Sequence, residues 1–168
     1  MTRSMRSAKQ AGSEFEGDMA GFFAHALGDP RICRRARNGA KDRGDIHGLM
    51  FRGWPIVAEC KSYASADRMA QFLREAEDER GNDDALVGVV IHKVRGRGSG
   101  TFAGAAEQRV TMTTHDFAVM LAGSRELVDE RMAEAERRGL SLRDRVRAIG
   151  PDLDEFDDQE GERWVTTF

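Results

Sequence analysis

Pro55 to Ser62 read PIVAECKS, and the turn-rich stretch ahead of them, Asp42 to Gly48, reads DRGDIHG. The short apolar run bounded by turn residues predicts a strand over WPIVAECK. Side chains alternate across a pleated strand, so Glu59 and Lys61 point the same way and Cys60 points to the other face. A strand with opposite charges at two neighbouring same-face positions either runs out into solvent or builds a site.

Working outward, DIHGLMF reads as the preceding strand, and Arg52-Gly53 marks a hairpin turn between the two. With the turn centred there, pairing position i with about 105 − i sets Asp45 opposite position 60, flanked by Glu59 and Lys61. Same-face neighbours across two strands sit roughly 5–8 Å apart. Carboxylates at that range repel unless a cation lies between them. Mg²⁺ suits such a slot, since it takes one or two carboxylates and leaves its other positions to water and phosphate oxygens. Lys61 beside it would orient or deprotonate a water, or steady charge on a transferring phosphate. That chemistry is metal-assisted phosphodiester hydrolysis. An acid-x-Lys tripeptide alone is common by chance in a chain that is 33% charged. Its place at the end of an apolar strand, with Asp45 in the partner strand, gives it weight.

The remaining chain supplies the layers. Phe15, Met19, Phe22, Phe23 and Leu27 fall at helical spacing, with Ser13 as N-cap and Gly28 as the stop. RICRRAR alternates like a short exposed strand. SADRMAQFLREAEDERG predicts a second helix, capped by Ser65 and ended by Gly81, and ALVGVVIHKV a fully buried strand. RGRGSGTFAGAA reads as a loop with GRGSG at its flexible tip, QRVTMTT as a strand, and 115–122, 124–138 and 141–149 as helices. The fold class is α/β, with a central mixed sheet and C-terminal helices. Residues 1–11 are expected to form a flexible basic lead and 122–149 a helical extension. Residues 150–168 are expected to form an acidic tail.

Bulk composition narrows the setting. A chain of 168 residues buries a core without disulfides or metals. Cys33 and Cys60 make no zinc pattern and no disulfide framework, which points to a reducing, cytoplasmic setting. There is no apolar run of transmembrane length, and the first fifteen residues lack the apolar middle of a signal peptide. Net charge is −3, but residues 1–111 hold 18 Lys and Arg against 15 Asp and Glu, and residues 112–168 hold 8 against 14. A basic front half permits a polyanionic partner; it is equally compatible with an ordinary solvated surface. Arg outnumbers Lys 22 to 4, which makes a lysine at 61 notable, because lysine can yield its proton when buried and arginine cannot.

An Asp after a glycine-bearing turn, a strand, then VAECK resembles the PD-(D/E)XK nuclease superfamily, and more narrowly its Holliday junction resolvase-like branch of phage and actinobacterial type. The similarity covers roughly residues 12–121. It implies a restriction-endonuclease-like core of helix, three strands, helix, strand. Gly12-Ser13-Glu14-Phe15-Glu16 is similar to the Gly-x-x-x-Glu of that branch, which implies Glu16 as a further acid. GDIHG at 44–48 implies metal binding by Asp45, and ECK at 59–61 implies metal binding by Glu59 and catalytic assistance by Lys61. RGNDDALVGVVIHKVRG at 80–96 is similar too, with Lys93 ending the strand. Gly44 stands where the family usually has Pro. The resemblance implies a Mg²⁺- or Mn²⁺-dependent endodeoxyribonuclease acting as a homodimer on branched or double-stranded DNA. A restriction or repair endonuclease, or a non-cleaving DNA-binding protein on the same fold, are the alternatives. Arg35, Arg37, Lys41 and Arg43 form one candidate phosphate patch, and Lys93, Arg95 and Arg97 another. Glu75, Glu77, Asp78 and Glu79 read as a solvated helix face, although Glu75 and Glu79, one turn apart, are able to look toward the site. The four histidines share no metal-ligand spacing; His47 is the one near the proposed site.

Overall fold

A computed structural model describes residues 5–36, 42–63 and 66–143. Arg37, Lys41, the Ser65 cap, the end of the 141–149 helix and the acidic tail lie outside the described residues. Contacts divide the chain into one unit reaching Val128 and a second beginning at Asp129.

Helix α1 spans Met5–Ala26 and starts well before Ser13. Residues 5–11 are therefore helical rather than a flexible lead, helped by the Gln10 amide bonding Glu14 one turn on at 2.9 Å. Ser13 lies inside the helix and is no cap; its hydroxyl accepts from Arg34 at 3.2 Å. Phe15 and Met19 are buried, as their spacing predicts. RICRRAR yields only the two-residue strand β1, Cys33–Arg34. DIHGLMF splits at Gly48 and Leu49 into β2, Ile46–His47, and β3, Met50–Phe51. β2 pairs antiparallel with β1, while β3 forms the predicted hairpin with β4, Trp54–Lys61. Met50 faces Pro55 and Phe51 faces Trp54, so the expected register holds in the hairpin. Arg52 and Gly53 both have positive φ, the backbone twist that two-residue hairpins favour.

After a 3₁₀ turn over Ala66–Arg68, helix α2 (Met69–Asn82) carries the chain over to β5, Val87–His92, which runs parallel to β4. The stretch read as a loop contains helix α3, Phe102–Ala106, capped by the Thr101 hydroxyl accepting from Gly104 N–H at 3.1 Å. Nor is GRGSG a loose tip, for Ser99 is buried and donates to Asp18 of α1 at 2.7 Å. β6 (Arg109–Thr111) pairs antiparallel with β5, and α4 (Thr114–Ala122) and α5 (Arg125–Arg137) follow.

The main sheet is mixed, in the order β3-β4-β5-β6. All six residues of β5 are buried, as its continuous apolar run predicts. Val87, Val89 and Ile91 join one cluster with Phe15 and Met19 of α1 and Val119 of α4; Val90 packs instead on Phe72 and Ala76 of α2. The sheet is thus covered on one face by α1 and α4 and on the other by α2. Among the described residues no helix is long and apolar enough to cross a membrane. In the second unit, α5 continues to Arg137, which pairs with Glu134 at 2.8 Å.

Candidate active site

Asp45 reaches β4 because Gly44 lets the chain lie against it. Gly44 has φ +84°, and a Cβ there would stand 2.9 Å from Val57 Cγ1 and 3.0 Å from the Ala58 carbonyl oxygen. Proline, fixed near φ −65°, has no access to that conformation. The Asp45 N–H donates to Ala58 O at 2.9 Å, and Arg35 N–H donates to Asp45 O at 2.7 Å. Cys60 N–H then donates to Asp45 Oδ2 at 2.8 Å, setting the carboxyl between the backbone positions of Glu59 and Lys61. The hairpin register itself runs only to Leu49, whose carbonyl accepts from Ile56 N–H. Asp45 therefore arrives beside residue 60 through its carboxyl, not through a continuous ladder.

Burial, the charge of Glu59 and the charge of Glu16 push the Asp45 carboxyl up to about 8, against the pull of the Cys60 N–H. The Cys60 thiol is pushed well up by burial and the surrounding carboxylates, which leaves it inert. Glu16, buried on α1, accepts from Arg34 Nε of β1 at 2.6 Å. Lys61 donates to Glu59 Oε1 at 2.6 Å and to Glu75 Oε2 at 2.8 Å, with its ammonium 4.7 Å from the centre of the Phe72 ring. Burial opposes the charge on Lys61, but the bonds to Glu59 and Glu75 outweigh it and raise the pKa above the ordinary lysine value. In this arrangement Lys61 is held as an ammonium donor to both carboxylates.

Two acids read as a solvated face belong to this cluster. Glu75 accepts from Lys61 and, at 2.7 Å, from Gln71. The Oε2 of Glu79 is buried without a hydrogen-bond partner. Burial, then the charges of Glu59, Asp42 and Asp45, push Glu79 up to about 9. The signal in the sequence was the i, i+4 series Gln71, Glu75, Glu79 flanking the buried Phe72 and Ala76. Arg34, one of the arginines at 31–37 expected to form a phosphate patch, is instead singled out by its contact with Glu16.

Asp45, Glu59 and Lys61 are thus brought together, with Glu16 beneath them and Glu75 and Glu79 above. Among the described residues no three His, Cys, Asp or Glu side chains stand in a geometry that could hold a metal ion as placed. The carboxyls instead engage Lys61, Arg34, the Cys60 N–H and one another. The candidate phosphate contacts fare unevenly. Arg35 is largely covered and pairs with Asp83 at 2.9 Å, and Arg43 stands 3.7 Å from the same carboxylate. Arg97 pairs with Glu107 at 2.9 Å. Arg95 is exposed, and half-buried Lys93 extends the strand by donating its N–H to Lys61 O at 3.0 Å. His25 stacks against Phe102, His92 bonds Thr111, and His47 is exposed.

No protein-family model, curated protein or solved structure matches the chain.

Proposed function

We propose that this protein is a metal-dependent DNA endonuclease that hydrolyses phosphodiester bonds, most closely a Holliday junction resolvase cutting branched DNA. The observation that carries the reading is the Cys60 N–H bond to Asp45, which joins the acid of one loop to the Glu59-x-Lys61 pair of the central strand. The residues suit a hard divalent cation in chemistry. The site is rich in carboxylate oxygens, one of them buried and unpartnered, and burial, with the charge of Glu59 next, pushes the Asp45 and Glu79 carboxyls well above their ordinary range. Asp45, Glu59 and Glu16 would hold Mg²⁺ or Mn²⁺, which when bound supplies Lewis-acid activation of the phosphodiester. Lys61, kept protonated, stabilises the negative charge that develops on the phosphoryl oxygens. Arg95 and Lys93, beyond the end of β5, are the free cations best disposed to meet the backbone phosphates. The reading carries with it a cytoplasmic location in a bacterial or phage-infected cell. It also carries a homodimer, since symmetric cutting of a four-way junction calls for two sites about a two-fold axis.

The test is cleavage of a labelled four-way junction beside linear duplex and single strand of the same sequence, for wild type and Lys61→Ala, in Mg²⁺, Mn²⁺ and EDTA. Paired, metal-dependent nicks in the junction that vanish in the variant are expected. Equal cutting of all substrates keeps the endonuclease and discards the resolvase. Junction binding with no cutting under any condition leaves a DNA-binding protein on this fold.

A further inference from the structure

Most arginines around the site already stand against a carboxylate: Arg34 against Glu16, Arg35 and Arg43 against Asp83. Arg68, the residue from which α2 starts, is exposed and is held differently. Its Nη1 donates to the Tyr63 hydroxyl at 3.0 Å, and its Nε and Nη2 share the Gln71 side-chain oxygen at 3.4 Å. None of these partners carries a charge. A guanidinium has five N–H donors, so one remains on each terminal nitrogen. Two donors so placed form the fork that engages two oxygens of a phosphate.

The position of this fork is tied to Lys61. The guanidinium carbon of Arg68 lies 5.3 Å from the centre of the Phe72 ring and 5.9 Å from that of Tyr63. Lys61 Nζ lies 4.7 Å from the same Phe72 centre. The sum of the two distances to Phe72, about 10 Å, is the most that separates the two cations. One strand of duplex DNA carries a phosphate per roughly 3.4 Å of helix axis, so that interval covers about three phosphates at most. Hydrogen bonds join the pair by a second route, for Gln71 donates to Glu75 at 2.7 Å and Glu75 accepts from Lys61. Arg68 is thus ordered by two rings and an amide before any ligand arrives, which lowers the entropy lost on gripping one.

We propose that Arg68 binds a backbone phosphate of the strand whose scissile phosphodiester lies at Lys61, and so positions that strand for cutting. Tyr63 and Phe72 act through Arg68, by holding the guanidinium in place. The inference rests on the nuclease reading and adds to it a phosphate contact outside the motifs and outside both basic patches.

The experiment is fluorescence anisotropy of a labelled four-way junction with the full chain over a series of NaCl concentrations. Ca²⁺, which takes oxygen ligands as Mg²⁺ does, replaces Mg²⁺ in the buffer. Wild type, Arg68→Ala, Arg68→Lys and Arg74→Ala are compared. Arg74 is exposed farther along α2, and its variant makes the same change in charge. Arg68→Ala is expected to weaken binding roughly 10- to 100-fold. It is also expected to lower the slope of log affinity against log salt by about 0.9, the value of one phosphate contact. Arg68→Lys is expected to restore the slope but only part of the affinity, since a lysine lacks the fork. Arg74→Ala is expected to match wild type. Wild-type affinity and slope in Arg68→Ala overturn the inference while leaving the nuclease reading intact. A loss of affinity with the slope unchanged makes Arg68 a structural residue only and overturns it too, as does an equal loss in Arg74→Ala. A wild-type chain that binds no junction overturns both. Circular dichroism melts establish folding; should Arg68→Ala not fold, Arg68→Gln, which keeps a long polar side chain and removes the charge, decides by the same criterion.

Discussion

Asp45 and Lys61 illustrate two fates of a charge beside β4. Lys61 has its partners at 2.6 and 2.8 Å, so its protonated form is favoured. Truncating it removes the one ammonium of the cluster, and cleavage by Lys61→Ala is expected to fall roughly 10²- to 10³-fold, as when one donor to a transition-state oxyanion is lost. Single-turnover cleavage at saturating Mg²⁺ measures this, and an unchanged rate would exclude Lys61 from the chemistry. The Asp45 carboxyl accepts from the Cys60 N–H and is set against the charges of Glu59 and Glu16. In the unfolded chain it ionises near about 4; in the folded protein burial and Glu59 delay this to about 8. A carboxyl with a raised folded pKa contributes stability while the fold keeps it protonated, and that contribution is lost as pH rises between the two values. In EDTA, the melting temperature is expected to fall from pH 5 to pH 9. Asp45→Asn, which needs no proton, should flatten that fall and melt above wild type at pH 9. Parallel curves for the two proteins would refute the assignment. Strand alternation made Lys61 legible, and hairpin arithmetic set Asp45 near residue 60, although the ladder it assumes ends at Leu49. That Lys61 stays protonated was not legible, because its second partner, Glu75, lies fourteen residues away on a helix.

At the scale of elements, α2 and its seat on β5 decide the upper half of the site. Gly88 permits that seat, and Gly88→Ala forces a methyl group toward the Ala76 carbonyl at 2.5 Å. We expect a loss of about 1–3 kcal/mol by urea denaturation, typical of overpacking in a well-packed interior. The loop before β2 has the corresponding requirement. Gly44→Ala places a Cβ 2.9 Å from Val57 Cγ1 at a φ that side chains avoid, and is expected to lower both stability and cleavage. Activity retained in Gly44→Ala at wild-type stability would show that the Asp45 loop does not need this close approach. Helix periodicity, the buried run of β5 and the Arg52-Gly53 turn were plain in the sequence. The extension of α1 back to Met5, the helix within RGRGSGTFAGAA and the splitting of DIHGLMF into two strands were not. The last two depend on a partner distant in the chain, Asp18 against Ser99 and β1 against β2.

Across the whole molecule, every buried apolar residue among those described lies between Phe15 and Val119. A chain ending at Arg143 keeps all of that core and is expected to melt cooperatively. A lowered melting temperature would show that residues 144–168 contribute to the fold, and junction affinity measured on the same pair tests whether the acidic tail competes with DNA. The sequence by itself determined the α/β class, the mixed sheet, the hairpin and the same-face pairing of Glu59 with Lys61, which follow from local period, turn chemistry and register. That Asp45 joins them depended on the close approach of the Gly44 loop to β4. Only the tertiary structure decided that Glu16 is bridged to Arg34, that Arg35 pairs with Asp83, and that Glu75 and Glu79 turn inward. Their side chains are common surface types in the sequence, and what they do is set by how closely α1 and α2 pack on the two faces of one sheet.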